Sequence, residues 1–321
     1  MRLLSALATA LSASVVGAAP VLEQPIDCAL GETCFIQNYV DSDPSDQAAD
    51  YACGGLSYDG HDGTDFALPT LADIRRQVTV LAAAPGVVAG LRDGMPDIAI
   101  TETTRGDVAG RECGNGVAID HGDGWVSQYC HMKQGSIAVK KGQNVAAGDP
   151  LGHVGLSGLT QFPHLHIALR HQGQVIDPFA PSGAPNSCGT SGPDSLWASP
   201  PDYVPGGLLQ SGFDTAIPAY LDVFAGTTRH APLARTAPAL VLFAYGYGSR
   251  IGDAITFSIT GPDGFQFDHT VTLTKAQARF MRAAGKKRRT AAWPSGIYSG
   301  TVTFLRDGRT VDQQTLQMTI P

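Results

Sequence analysis

The run CGNGVAIDHGDGWVSQYC, residues 113–130, constrains the fold more than any other stretch of the chain. Two β-like runs flank the turn HGDG at 121–124. Folding about that turn sets Cys113 nearly opposite Cys130, within reach of a disulfide. The same grammar continues from about 51 to 185, where runs such as VTVLAAAPGVVAGL and PHLHIALRHQGQVIDPF alternate with glycine turns. Glycine (38) and proline (21) are frequent enough in 321 residues to favour short strands and turns over long helices.

The rest of the chain divides by composition. The first 18 residues carry one arginine, then an apolar stretch, then Val16-Gly17-Ala18, which fits a signal-peptidase site. That stretch is shorter than the ~20 residues of a spanning helix, and no cysteine sits at the cleavage site, so an exported protein without a membrane anchor is expected. Six cysteines (28, 34, 53, 113, 130, 188) suit that compartment, and no Cys-x-x-Cys spacing argues for a zinc-thiolate site. Four of them are expected to staple the N-terminal segment and the end of the first domain. Residues 19–50 read as polar and irregular, with Asp41, Asp43, Asp46 and Asp50 in a solvated loop. Residues 92–112 read as a polar surface insertion within a domain spanning 51–188.

A Pro, Gly and Ser-rich linker follows at 189–215, then a second β region at 216–321. There DAITFSITGPDGFQFDHTVTLT and GTVTFLRDGRTVDQQTLQMTI read as hairpins turned at 262–264 and at Asp307-Gly308. KAQARFMRAAGKK between them reads as a short helix. The expected architecture is mainly β: a β-sheet domain, then a small immunoglobulin-like β-sandwich. A net charge of −7 argues against a general nucleic-acid binder, and the run KKRR at 286–289 reads as a solvated turn.

The chemistry-bearing residues lie in the first domain. In PHLHIAL, His164 and His166 share one face of an extended strand. Upstream, GHDGTDFALP sets His61 and Asp65 four apart in a glycine-rich loop. Zinc accepts imidazole nitrogen and carboxylate oxygen together. His61, Asp65 and one of the two strand histidines would make three ligands, leaving a fourth position open, the mark of a catalytic site. The other strand histidine and His131, in SQYCHMKQG, remain for proton transfer. Asp62 reads as a turn residue and Tyr58 as a packed or surface tyrosine. His121, His153, His171, His230 and His269 lack partners at ligand spacing.

In order, HDGTD, YCH and HLH resemble the His-x-x-x-Asp, Tyr-x-His and His-x-His motifs of the lysostaphin-type (LytM-type) zinc metalloendopeptidases of bacterial cell walls. The flanking GNGVAIDHGDGW and VKKGQNVAAGDPLGHVGLSG are similar as well, so the resemblance covers roughly residues 55–180. It implies an antiparallel sheet with an open groove, Zn²⁺ held by His61, Asp65 and His166, and His131 and His164 as catalytic histidines. It also implies peptidoglycan peptides as the substrate, met in the periplasm or outside the cell. Phe162-Pro163 and Ile167-Ala168 stand where the family often has Gly-Pro and Phe-Glu, which bears on groove shape and specificity.

Overall fold

The computed structural model describes residues 18–183, 194–228 and 233–321. The expected leader apart from Ala18, Cys188, part of the expected linker and His230 lie outside the described residues. The first half contains β1 (Phe35–Asn38), β2 (Thr64–Ala67), β3 (Thr79–Leu81), β4 (Gly86–Arg92), β5 (Asn115–Gly122), β6 (Trp125–Met132), β7 (Asn144–Val145), β8 (Pro150–His153), β9 (His164–His171) and β10 (Gln174–Ile176). An antiparallel sheet runs in the order β1-β2-β9-β6-β5-β4-β7, with β10 also paired to β9, and β3 and β8 form a separate ribbon.

Alternation makes β9 two-faced. Leu165, Ile167 and Leu169 enter the core with Phe66, Val117, Ile119 and Tyr129, while His164 and His166 occupy the other face. β5 and β6 meet through Asp123-Gly124, whose positive φ values of 51° and 85° make the tight two-residue hairpin turn. The Cys113–Cys130 disulfide is formed, as the register argument requires. Cys28 pairs with Cys34, and Cys53 is disulfide-bonded too.

The N-terminal segment is more ordered than its composition suggests. FIQN becomes β1 at the sheet edge, with Phe35 opposite Ala67 and Ile36 opposite Phe66. Leu22, Ile26, Phe35 and Tyr39 are buried in the same core. Asp50 is not solvated as expected. Its carboxylate is fully buried and accepts from the amides of Ala52, Gly54 and Leu56 and from the Tyr203 hydroxyl. Four donors compensate the cost of removing that charge from water.

The second half contains β11 (Gly207–Asp214), the short helix α1 (Tyr220–Ala225), β12 (Ala239–Ser249), β13 (Ala254–Thr260), β14 (Gln266–Thr272), β15 (Gln277–Lys287), β16 (Gly296–Arg306) and β17 (Arg309–Ile320). Two antiparallel sheets, β11-β12-β15 and β14-β13-β16-β17, share one core that includes Leu240, Leu242, Phe257, Phe280, Val302 and Phe304. The hairpins at 262–264 and at Asp307-Gly308 both occur. β11 lies inside the stretch that reads as linker.

KAQARFMRAAGKK is a strand, not the expected helix. It pairs along the whole of β12, from Ala239 opposite Lys287 to Ser249 opposite Gln277. β12 is almost wholly buried, and its amides and carbonyls need partners on both edges, which outweighs the helix propensity of Ala, Lys and Arg.

Arg279 of β15 ties the two halves together. Its buried guanidinium donates to Gln37 Oε1, the Leu68 and Pro69 carbonyls and the Tyr245 hydroxyl. It also lies 4.3 Å from the centre of the Phe162 ring, two residues before His164.

Candidate metal centre

Three adjacent strands build the floor of the site. Register sets Asp65 of β2 opposite His166 of β9, and His166 opposite Cys130 of β6. Residues directly opposite share a face, so Asp65 and His166 meet side by side. His61 comes from the loop before β2. That loop is held by Asp41, whose side chain accepts from the Gly60 amide and whose own amide donates to the His61 carbonyl. A Cβ on Gly63 would meet the His166 ring at 2.6 Å, so only glycine permits this approach.

His61 Nε2, Asp65 Oδ1 and His166 Nδ1 converge. The separations are 3.2 Å (His61 to Asp65), 3.3 Å (His61 to His166) and 2.9 Å (His166 to Asp65). Tetrahedral ligands at zinc distances stand about 3.3 Å apart, so the set fits zinc. The far side of each ring orients the near side. His61 Nδ1 donates to the Tyr39 carbonyl at 2.7 Å, and His166 Nε2 donates to Asp62 Oδ1 at 3.2 Å. Those bonds fix the rings so that His61 Nε2 and His166 Nδ1 both turn toward Asp65, where a bound cation would replace the proton that His166 Nδ1 shares with the carboxylate. Burial disfavours the Asp65 carboxylate, but the imidazoles of His61 and His164 outweigh it and hold Asp65 well below the usual carboxylate range. Burial likewise pushes His166 down, while Asp62 and Asp65 outweigh it and raise the ring to about 9. A field that draws a proton so strongly draws a metal cation.

His164 and His131 complete the cluster. His164 Nδ1 donates to the Phe162 carbonyl at 2.9 Å, and its Nε2 lies 3.4 Å from Asp65 Oδ1. Strict alternation after Cys130 would send His131 to the opposite face. Instead His131 has φ +60° in an irregularity of the β5–β6 ladder, and its ring sits 4.6 Å from that of His164. His131 Nδ1 donates to the Ser157 carbonyl at 2.8 Å, which leaves Nε2 free of a proton. Burial, with His164 and His166 close by, keeps this imidazole well below its ordinary pKa.

All five expected site residues therefore meet at one place. Two residues that sequence reasoning passed over join them. Asp62, taken as a turn residue, holds His166 and is itself gripped by Arg170. Asn38 of β1 donates to Asp65 Oδ2 at 2.9 Å, leaving Oδ1 for the cluster. HDGTD does carry Asp62 in plain view, but only three-dimensional pairing shows that it faces a ring 104 positions away. Tyr58 is more than half exposed and lies against the His61 ring. His121 and His171 are engaged elsewhere, with the Pro85 carbonyl and the Trp125 ring.

The cluster opens onto a groove that widens on both sides. One arm, a cavity of about 400 Å³, carries Arg92, Arg111, Glu112 and Arg170. The other, of about 470 Å³, carries Ile100, Glu102, Arg105 and Phe162. His131, His166, Tyr58 and Leu159 line both.

Comparison with known proteins concerns this part of the chain. Peptidoglycan DD-endopeptidase ShyA of Vibrio cholerae is 32% identical over 117 residues, which are 36% of this chain and 22% of ShyA. DD-carboxypeptidase/endopeptidase Mpg of Neisseria gonorrhoeae is 33% identical over 118 residues, 37% of this chain and 22% of Mpg. The chain thus spans about a fifth of the length of these relatives. Among solved structures, a mutant catalytic domain of the prophage-encoded M23 protein EnpA from Enterococcus faecalis is 28% identical. That match covers 45% of this chain and 92% of that one, with a TM-score of 0.30. Residues 59–178, which contain every member of the cluster except Asn38, match the model of Peptidase family M23.

Proposed function

We propose that the chain is an exported zinc endopeptidase that hydrolyses peptide bonds of peptidoglycan. One observation carries this reading: two imidazole nitrogens and a carboxylate oxygen converge at zinc spacing, with two further histidines beside them, in a groove of the stretch that matches Peptidase family M23. In this reading His61, Asp65 and His166 hold the metal, and the names of ShyA and Mpg supply the substrate class. Zinc, when bound, polarises a carbonyl and makes hydroxide available from water near neutral pH. His131 Nε2, free of a proton and fixed through Ser157, takes the proton of the attacking water and returns it to the leaving amine. His164, fixed through the Phe162 carbonyl, presents Nε2 to the same space and shares the proton transfers of the reaction with His131.

The domain organisation belongs to the same proposal: a leader at 1–18, a supporting segment at 19–50, the peptidase domain at 51–188, a linker at 189–215 and an accessory domain at 216–321. The two facing sheets of the accessory domain support an immunoglobulin-like sandwich. No helix among the described residues is long and apolar enough to cross a membrane.

Digestion of purified peptidoglycan beside a denatured protein tests the function. Soluble peptide fragments from peptidoglycan, abolished by a chelator and restored by zinc, are expected. Cleavage of the protein alone would make the chain a general exported protease. Cleavage of neither would overturn the peptidase reading.

A further inference from the structure

The arginine-lined arm of the groove has a feature that peptide hydrolysis alone does not require. Its three guanidinium groups are not equally engaged. Arg170 is paired with Asp62 and also donates to Gln128 Oε1. Arg92 donates only to the Gly114 carbonyl, at 3.3 Å, and Arg111 only to the Asp107 carbonyl, at 2.8 Å. Among the described residues neither forms an ion pair. The nearby acid Glu112 turns its carboxylate to the Gly110 amide at 2.7 Å. Backbone amides, then Arg92 close by, lower that carboxyl, but Arg92, Arg111 and Arg170 outnumber Asp62 and Glu112 on this wall, so in a chain of net charge −7 the wall is locally positive.

The wall is also held in place. The 92–112 insertion is laced to the domain through Asp93, which accepts from the Gly135 amide at 2.7 Å, and Asp97, which accepts from the Leu156 amide at 2.8 Å. Asn115 closes it further by bonding both the amide and the carbonyl of Met95. Arg111 stands two residues before Cys113, whose disulfide partner Cys130 adjoins His131. A guanidinium carried on so anchored a loop loses little entropy on binding. Its planar fork matches a carboxylate, with two parallel hydrogen bonds.

We propose that Arg92 and Arg111 form a carboxylate subsite on one flank of the metal centre. It selects peptides that carry a free carboxylate, terminal or on a side chain, within a few residues of the bond cut. This rests on the peptidase reading and deepens it. The test uses pairs of synthetic peptides that differ only in a free carboxylate or a carboxamide, one pair for each position of the group. The zinc-loaded full chain and R92A/R111A are compared for kcat/KM and, by calorimetry, for binding. Zinc content and Tm of the variant are measured alongside.

The wild type should prefer the acid of one pair by about tenfold to a hundredfold, the range of a charge-assisted hydrogen bond. R92A/R111A, with unchanged zinc content, should bring that ratio close to one, chiefly through KM. Equal kcat/KM and equal affinity for acid and amide in every pair would overturn the subsite, as would a preference that survives in R92A/R111A. If no peptide is cut, the peptidase reading fails, and the binding comparison alone still decides the subsite.

Discussion

The two β regions place ionisable groups inside in opposite ways. In the second region, Asp253 and Arg306 form a two-pronged pair, Oδ2 to Nη2 at 2.8 Å and Oδ1 to Nε at 2.9 Å. Arg306 also donates to the Pro205 and Gly248 carbonyls. Both charges of that pair are closed by other protein groups. In the first region, His61 Nε2, His166 Nδ1 and Asp65 Oδ1 converge on one point, with the far sides of the rings held by the Tyr39 carbonyl and Asp62. Two imidazoles crowded on one buried carboxylate leave a site that a cation can enter by displacing a proton. The Asp253–Arg306 pair and the His61, Asp65 and His166 cluster thus differ less in the strands that carry them than in whether their facing atoms are already closed by protein partners. The closed set supports the fold, and the open set binds.

That contrast can be broken in order of effect. His61→Ala, Asp65→Ala and His166→Ala should each lose zinc and turnover, read by metal analysis and by release of fragments from peptidoglycan. Full zinc occupancy in these variants would show that the open set is not the metal site. His131→Ala and His164→Ala should keep zinc and lose turnover by about 10²–10⁴-fold, the usual contribution of a positioned acid or base. If His164→Ala loses the metal while His166→Ala keeps it, the roles of the two strand histidines are reversed.

In the second region, Asp253→Ala leaves Arg306 buried without its partner and should cost about 3–5 kcal/mol in denaturant unfolding, with zinc content unchanged. A parallel fall in zinc would mean that the regions do not divide their work as described. The smallest effect is expected from Asp62→Asn, which weakens the hold on His166 Nε2. Zinc affinity should drop by about 10–100-fold in competition with a chelator. An unchanged affinity would remove Asp62 from the support of the site.

How much of this was legible in the sequence follows from the range over which each signal acts. Strand periodicity alone puts His164 and His166 on one face, and local spacing pairs His61 with Asp65. The hairpin turn and the Cys113–Cys130 bond are local too. The resemblance to lysostaphin-type enzymes, not periodicity, selected His166 over His164. What escaped is set by distant partners. The 277–287 stretch is a strand because β12 needs a second edge. FIQN at 35–38 joins the sheet because β2 has an open edge. Asp50 is buried because amides at 52, 54 and 56 and the hydroxyl of Tyr203 meet it. His131 is the instructive case: its spacing marks it, but a left-handed backbone, not alternation, points it into the site.

The central claim is that the open set holds zinc through three particular atoms. Crystals of the zinc-loaded chain, measured on both sides of the zinc absorption edge, test it directly. A single anomalous peak is expected about 2.0–2.2 Å from His61 Nε2, Asp65 Oδ1 and His166 Nδ1, with one open position facing His131 and His164. No peak among those atoms, or a peak bound by His131 and His164 instead, would contradict the account.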